Sequence, residues 1–356
     1  VTVAAQNIQE DTPTAVQIGV YVVANDAKTG INVANQYSVT PTIVDGCITL
    51  GVSLSGATGN YVCVDNFRLT QEAPTAETFT TMHALMQAVV DEADGVNQHV
   101  TSPEQTELDA ATDGVKALIS QAVTYGVTEA VVRLQRAIYD YNLSLASEDN
   151  PIVMTDLIVN PSFENNGSKG WVNDGMAAQT NSVFKLKAGN TYMETWTWKG
   201  NSVDDATLSQ LVKMPNGLYR VSVAAQNIQE DTPTVQFDGA FLFASNRKAS
   251  VGVCGNYSLD FVVIEGKTNI GFMTRNAGGN YICVDNFSLE YMGRSEEMLM
   301  NELADRTAGA QALANEKMNG AVLQALNDAI ANAQALTTPV GIEAVADALN
   351  NAIAAA

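Results

Sequence analysis

The chain has 356 residues, 46% of them hydrophobic, and it carries 39 acidic against 18 basic side chains, which gives a net charge of −21. This length exceeds what one ordinary hydrophobic core holds, so the sequence predicts several domains. The negative charge argues against nucleic acid and anionic membrane surfaces as partners. No apolar run reaches the roughly 18 residues that a membrane span needs, so no membrane insertion is expected.

The first 71 residues contain a segment that returns later in the chain. Residues 3–14 and 223–234 are identical, and the ungapped match between 1–69 and 221–289 has 31 identical positions. In both copies, alternating apolar residues are separated by Gly, Asn and Asp turns, without an intervening helical pattern. Short strands in this arrangement are typical of an antiparallel sandwich or barrel, and the repeat predicts two β-sandwiches.

The first sandwich is expected to be incomplete within this sequence. Residues 153–220 come before the second copy of the repeat and have the pattern of strands, whereas Val1 corresponds to the middle of a strand. Half a sandwich exposes the apolar face of a sheet. We therefore expect residues 1–71 to be the second half of a sandwich, completed by residues outside this sequence, by neighbouring modules, or by strand exchange with another chain.

Residues 75–148 have apolar side chains at helical spacing in three successive segments. The second segment opens with Ser102-Pro103-Glu104-Gln105, which predicts a capping box with proline at the first helical position. Residues 293–356 repeat the plan, and Thr338-Pro339 is predicted to start the last helix. Three amphipathic helices with short connections predict an antiparallel bundle in each segment.

Residues 152–292 carry the motifs of a known family. They are "NPSFE" at 160–164 with Trp171 after it, "PNGLYRVS" at 215–222, and "VDNFSL" at 284–289. With these motifs the segment resembles the galactose-binding-like jelly-roll carbohydrate-binding modules of polysaccharide-degrading gut bacteria, and the helical segments resemble the small three-helix spacers found beside them. The resemblance implies a multi-domain, all-β plus all-α chain. Antiparallel jelly-roll sandwiches would alternate with three-helix bundles in the order 1–71, 75–148, 152–292 and 293–356.

The same resemblance implies a structural calcium ion. In that family a calcium ion often lies where the first and last strands meet, which here corresponds to Glu164 and Asp285. A hard cation of this kind prefers carboxylate and carbonyl oxygens. The alternative is that both side chains only accept hydrogen bonds from turn backbone.

The sequence gives little support for catalysis. Its two histidines, His83 and His99, both lie within residues 75–148, the first predicted bundle. A function shared by both repeats therefore cannot depend on histidine. The adjacent acids Glu230 and Asp231 are poorly placed to flank a glycosidic bond from two sides. Only two of the four cysteines correspond between the repeats, which predicts buried free thiols: Cys47, Cys63, Cys254 and Cys283.

The candidate binding residues lie in one strand and one loop. "TYMETWTW" alternates, which predicts that Tyr192, Glu194, Trp196 and Trp198 share a strand face. The loop is the repeated "QNIQED". Aromatic rings stack on sugar rings and polar groups bind the hydroxyls, so the predicted carbohydrate site is Tyr192, Trp196, Trp198, Asn227, Gln229, Glu230 and Asp231. The alternatives are that the tryptophans are core residues and that the loop is a structural turn fixed by Pro233.

These observations favour non-catalytic glycan-binding modules, with helical bundles as spacers, within a larger secreted or cell-surface protein. The expected partner is a polysaccharide or glycan. Two alternatives stay open at this point. The modules could form a structural stalk, surface array or adhesion protein without a small ligand, or they could be accessories of a glycoside hydrolase whose catalytic domain lies outside this sequence.

Overall fold

The computed structural model describes residues 1–73, 75–121, 125–315 and 319–356. The chain divides into two compact units, residues 1–142 and 143–356. Unit 1 begins with six strands, which are β1 Thr2–Ile8, β2 Val20–Ala24, β3 Ala27–Gly30, β4 Asn35–Ser38, β5 Leu50–Leu54 and β6 Tyr61–Arg68. Three helices follow, α1 Ala76–Val96, α2 Pro103–Gln121 and α3 Val127–Ser144.

The strands of unit 1 form two small antiparallel sheets, in the orders β4-β1-β6 and β3-β2-β5. Alternate residues of β1 are buried, as expected for a strand with one face on a core. Val3 of β1 packs in one cluster with Val20 and Val22 of β2 and with Ile31. The two sheets therefore share a hydrophobic core.

The helices of unit 1 bury their apolar faces, and the first two have defined N-caps. Thr75 and Thr78 form a reciprocal capping box at α1. At α2 the Ser102 hydroxyl accepts the backbone N–H of Gln105 at 3.0 Å, as predicted. In a complete capping box the Gln105 side chain would bind the Ser102 backbone N–H. Its amide instead donates to Asp109 in the next helical turn, at 2.9 Å. The buried residues that hold the helices together include Met86, Val90, Leu108, Val115, Val131, Leu134 and Tyr141.

Unit 2 contains a larger β-sandwich. Its strands are β7 Ile152–Val153, β8 Val172–Asp174, β9 Ala177–Gln179, β10 Tyr192–Trp196, β11 Ala206–Lys213, β12 Gly217–Ile228, β13 Ala240–Ala244, β14 Arg247–Ser250, β15 Gly255–Val263, β16 Lys267–Thr274 and β17 Tyr281–Tyr291. One antiparallel sheet has the order β15-β12-β17-β10-β9, with β7 also on β17, and the other has the order β14-β13-β16-β11-β8. The core between them includes Phe163, Trp171, Tyr219, Phe261, Phe272 and Phe287.

The sequence repeat is also a repeat of strand register. Ala5 is opposite Val64 in unit 1, and Ala225 is opposite Val284 in unit 2. Both copies have the same irregularity in the ladder, between Thr2 and Ala4 in β1 and at the equivalent position in β12. Identical sequence has therefore produced the same pairing, bulge included.

The two copies differ in what covers the sheet. In β17 Phe287 and Leu289 are buried in the sandwich core. Their counterparts Phe67 and Leu69 in unit 1 are 41% and 63% exposed. These two apolar positions of the repeat are therefore exposed in unit 1 and buried in unit 2. Completion by neighbouring modules or by strand exchange stays a prediction, as do the four predicted domain boundaries.

Three helices follow the second sandwich, α4 Glu296–Ala314, α5 Gly320–Ala335 and α6 Ile342–Ala355. Their buried residues, Leu303 and Leu349 among them, form one cluster with Val262 and Ile264 of the sandwich. The prediction that Thr338-Pro339 starts the last helix is wrong by a few residues. Pro339 accepts a turn hydrogen bond from Ile342, and Gly341 precedes α6 in a left-handed conformation, with φ 81°.

A buried ionic cluster also joins the sandwich to α4. Arg306 donates from Nε to Glu302 at 2.9 Å and from Nη1 to Glu265 at 2.7 Å. The side chains of all three are at most 9% exposed. Arg247 of β14 donates to the other Glu302 oxygen at 2.9 Å. Charged groups this deeply buried require partners, so the two parts of unit 2 depend on each other here.

The described chain therefore has mixed content, with antiparallel sheets and six helices, in agreement with the predicted fold class at that level. Among the described helices none is long and apolar enough to cross a membrane. The four cysteines are free, as predicted, but the expectation that they are buried is wrong for three of them. Only Cys283 is buried, because it faces a sheet surface that a loop covers.

Candidate functional site

Strand β10 places the predicted aromatic residues. It pairs with β17 on one side and β9 on the other. Met193 points into the sandwich core, so Tyr192, Glu194 and Trp196 lie on the opposite face, as the alternation predicted. The strand ends at Trp196, however, and the prediction that Trp198 shares this strand is wrong. A turn begins there, closed by the Asn201 N–H donating to the Trp198 carbonyl at 3.0 Å.

Tyr192 is fully buried and belongs to a polar cluster beneath a covering loop. Its hydroxyl oxygen lies 2.8 Å from that of Tyr281, 2.8 Å from Asn181 Oδ1 and 3.1 Å from Glu194 Oε2. Phe184 of the covering loop packs on the Tyr192 ring with 5.4 Å between centroids. Burial raises the pKa of Tyr192 to about 12. Tyr192 is therefore positioned to support the site from below, out of contact with solvent.

Glu194 is buried in the same cluster. Desolvation raises the pKa of its carboxyl group, and the negative charge of Glu230 adds to the increase, while hydrogen bonds from Tyr192 and Gln179 oppose it. The charge of the loop residue Glu230 thus affects the pKa of Glu194, which lies on the same strand face as Trp196. The strand and the loop that the sequence proposed separately come together at this end of the sheet.

Trp196 and Trp198 lie at the surface. They are 43% and 73% exposed, and their rings meet edge to face with centroids 5.0 Å apart. Trp171 is different, since it packs against Phe163 and Phe287 in the core. The alternative that the tryptophans are core residues therefore holds for Trp171 and not for the other two.

Gln229 and Asn280 connect the tryptophan segment to the loop. The Gln229 amide donates to the carbonyls of Asn201 at 3.0 Å and Gly278 at 2.9 Å. Asn280 is fully buried; it donates to the Thr197 carbonyl at 3.0 Å and accepts the Glu230 N–H at 2.9 Å. Sequence reasoning missed Asn280.

The signal that could have identified Asn280 was the repeated "GNY", since Asn60 accepts the Glu10 N–H at 3.0 Å in the same way. Gln9 similarly donates to the Thr58 carbonyl, at 2.6 Å. These bonds form in unit 1 without any tryptophan nearby in sequence. The backbone of the repeated loop is therefore fixed as a turn, which was the structural alternative for it.

Asn227 does not join the surface residues. It is fully buried, and its amide donates to the carbonyls of Phe237 at 2.9 Å and Asp238 at 3.1 Å. Its counterpart Asn7 donates to the Ile18 carbonyl at 3.1 Å. The side chain anchors a neighbouring loop in both units, which leaves it unable to reach a ligand at the surface.

Four of the predicted site residues, together with Lys199, form what we call the tryptophan patch: Trp196, Trp198, Lys199, Glu230 and Asp231. Glu230 and Asp231 are exposed, and Lys199 Nζ lies 3.0 Å from Asp231 Oδ2. The patch combines two exposed aromatic faces with carboxylate acceptors and one ammonium donor. Such a surface can stack on the C–H face of a sugar ring and bind its hydroxyl groups.

The predicted calcium ligands lie close to one loop. Glu164 Oε1 accepts the N–H groups of Asn190 at 2.9 Å and Thr191 at 2.7 Å. Asp285 accepts those of Ala188 at 2.6 Å and Asn286 at 2.6 Å. Burial, and to a lesser degree the charge of Glu164, raise the pKa of Asp285 to about 7.

Three of the four carboxylate oxygens thus accept backbone N–H groups, which is the alternative the sequence left open. Within the described residues no group of three or more His, Cys, Asp or Glu side chains is arranged to hold a metal ion. Calcium stays a prediction.

Comparison with protein-family models gives no match, and comparison with curated proteins gives none. Solved structures similar to part of the chain include a family 61 carbohydrate-binding module in complex with β-1,4-galactotriose, which has 20% identity and a TM-score of 0.29 and aligns over 36% of this chain and 94% of that one. The xylan-binding CBM22-1 domain of Paenibacillus barcinonensis Xyn10C has 11% identity and a TM-score of 0.28, with 38% and 93% covered.

A Stig cyclase from Fischerella sp. TAU has 12% identity and a TM-score of 0.32, with 41% and 100% covered. The similar structures thus include both carbohydrate-binding modules and an enzyme. Identities and TM-scores this low carry no argument about the chain, and its sandwich and its candidate site rest on the geometry described above.

Proposed function

We propose that unit 2 is a non-catalytic glycan-binding module whose ligand stacks on the tryptophan patch. The observation that carries the proposal is the exposure of Trp196 and Trp198 side by side. Large aromatic side chains normally lose most of their accessible surface on folding, and an exposed pair with polar groups around it marks a binding surface. A structural stalk without a ligand gives no reason for this exposure.

The absence of catalysis is part of the proposal and is supported by the state of the acids. Asp231 is paired with Lys199 at 3.0 Å, and Glu230 is its immediate neighbour on one loop. Cleavage of a glycosidic bond requires two carboxyl groups on either side of the bond. A surface of this kind holds a sugar without a matched acid and base.

We further propose that the chain belongs to a larger secreted or cell-surface protein in which jelly-roll sandwiches alternate with three-helix spacers. The order of the described elements supports this arrangement, because strands β1–β6 precede α1–α3 and strands β7–β17 precede α4–α6. Attachment to a glycoside hydrolase outside this sequence is compatible with the same binding role.

The test is a glycan-array screen of the full chain, followed by affinity electrophoresis on the polysaccharides that bind. A single patch should bind in the millimolar to micromolar range, about −4 to −8 kcal/mol. Trp196→Ala and Trp198→Ala should each abolish retardation. The control is Leu211→Ala, which removes a side chain of unit 2 that is 57% exposed and lies outside the patch. Retardation that survives both tryptophan variants refutes the proposal.

A further inference from the structure

The charges around the tryptophan patch are mostly negative. Glu230 and Asp231 are both exposed on the loop. The one basic side chain of the patch, Lys199, is already paired with Asp231 at 3.0 Å. A ligand on the two tryptophans therefore meets the charge of Glu230 and a neutralised Lys199–Asp231 pair.

The position of Glu230 relative to Trp196 is fixed by one buried residue. Asn280 accepts the Glu230 N–H at 2.9 Å and donates to Glu230 Oε2 at 3.4 Å. The same amide donates to the carbonyl of Thr197, the residue after Trp196, at 3.0 Å. Two of these bonds hold the Glu230 backbone beside the residue that follows Trp196, and the third orients the carboxylate itself. Its influence on the pKa of Glu194, two residues before Trp196, agrees with this proximity.

We infer that the patch selects neutral or amino sugars and excludes glycans that carry uronic acid or sulfate groups, an inference that rests on the proposed function. A fixed carboxylate accepts charge-assisted hydrogen bonds from sugar hydroxyl or ammonium groups. It repels a carboxylate or sulfate on the ligand, and at a separation of ~6 Å and an effective dielectric constant of about 40, between the values for a protein surface and for bulk water, this repulsion corresponds to a roughly tenfold loss of affinity.

The probes are pairs of polymers with one backbone and different charge: methyl-esterified and free polygalacturonate, hydroxyethyl and carboxymethyl cellulose, and laminarin with and without sulfate. Each is cast into a native gel at low ionic strength. At 0.1 M salt the Debye length is only about 10 Å, so the repulsion between exposed charges would be weakened. We expect retardation by the neutral member of at least one pair and at least about tenfold weaker retardation by its anionic member.

Substitution of the two acids tests whether the discrimination is local. Glu230→Gln with Asp231→Asn keeps the shape of the loop and leaves Lys199 unpaired, so binding of the anionic member should increase. The control is Glu296→Gln with Glu297→Gln in the first turn of α4, which removes the same number of exposed charges elsewhere in unit 2. Equal increases in both double variants assign the effect to net charge and overturn the inference.

The remaining outcomes separate the inference from the proposed function. In one outcome an anionic polymer retards the protein as strongly as its neutral partner does, and Trp196→Ala abolishes this retardation. That result leaves the proposed function in place and overturns the inference. Retardation by none of the polymers, together with a blank glycan array, overturns the proposed function and the inference with it.

Discussion

Asn280 accepts the backbone N–H of Glu230 at 2.9 Å, and through its own N–H it holds the Thr197 carbonyl at 3.0 Å. The residue is fully buried, so removing its amide leaves buried backbone groups without partners, at a cost of about 1–3 kcal/mol. We expect Asn280→Ala to lower the free energy of unfolding of unit 2 by that amount and to weaken glycan retention.

The matched control is Asn60→Ala, which removes the equivalent bond to Glu10 in unit 1. All three tryptophans lie in unit 2, so the tryptophan fluorescence of a urea titration follows that unit alone. The control should leave this transition unchanged. If Asn280→Ala alters neither stability nor glycan retention, the Glu230 loop and the segment after Trp196 hold their positions without the Asn280 side chain.

The three tryptophans should differ sharply in their effect on stability. Trp171 is 8% exposed, packs 4.6 Å from the Phe287 ring and donates from its indole N–H to the Asn160 carbonyl at 3.1 Å. Its replacement by alanine should cost about 3–5 kcal/mol, the range for large aromatic residues in a core. Trp196→Ala and Trp198→Ala should change stability by about 0.5 kcal/mol or less, as at other exposed positions.

Urea denaturation followed by circular dichroism distinguishes these cases, because it does not depend on the number of tryptophans left. A loss of several kcal/mol in Trp196→Ala would mean that this ring supports the fold, and its effect on glycan binding would then have a structural cause.

The sequence could predict those parts of the site that depend on local periodicity. The alternation in "TYMETWTW" correctly placed Tyr192, Glu194 and Trp196 on one face, because side chains alternate in any strand. It failed at Trp198, because the strand ends in a turn held by Gln229, a residue distant in sequence. The prediction that Asn227 lies in a binding loop also failed, because this residue belongs to strand β12, where its side chain is buried and donates to the carbonyls of Phe237 and Asp238.

The contact between the second sandwich and α4 also depends on residues that are distant in sequence, which local periodicity does not predict. Glu302 and Arg306 are four residues apart on one helix, a spacing that predicts an ordinary surface pair. They are buried because Glu265 and Val262 approach from the sandwich, and no pattern within the helix indicates that approach. The repeat, by contrast, predicted strands in both copies, and in the structure β1 pairs with β6 in the same register as β12 with β17.

Arg306→Ala should destabilise unit 2 strongly. The substitution leaves Glu302 and Glu265 buried without their main cation, and breaking a buried pair in this way costs about 3–5 kcal/mol. The control is Arg136→Ala, which removes an exposed pair with Asp140 at the same four-residue spacing and should cost about 0.5 kcal/mol or less. Calorimetry of the full chain measures both. Similar small losses in the two variants would show that water reaches the Arg306 cluster.

The stability of unit 2 should depend on the ionisation of Asp285. Burial raises the pKa of this carboxyl group to about 7 in the folded chain, against about 3.9 in an unfolded one. The folded state therefore binds the proton more tightly. The resulting stabilisation is fully present below about pH 4 and is lost as the pH rises through about 7.

In chelator-treated protein, the contribution of Asp285 should make the free energy of unfolding of unit 2 greater at pH 5 than at pH 8. Asp285→Asn should flatten this dependence. Glu194, whose pKa is also raised by burial, contributes in the same direction, so Glu194→Gln is the comparison variant. A pH profile that is unaltered in Asp285→Asn would show that Asp285 titrates normally.

The calcium hypothesis concerns the same carboxyl group and can be tested directly. Glu164 and Asp285 contact the segment from Ala188 to Thr191, and a cation beside them would offset the repulsion that contributes to the raised pKa of Asp285. Binding to the folded state alone stabilises it by about 2.7 kcal/mol at a hundredfold excess over Kd. EDTA should then lower the melting temperature of unit 2, and Glu164→Gln should remove most of that sensitivity. Asp65→Asn, at the equivalent position of unit 1, should leave it intact. If elemental analysis finds no metal and EDTA leaves the melting curve unchanged, the two carboxylates serve only the turn backbone.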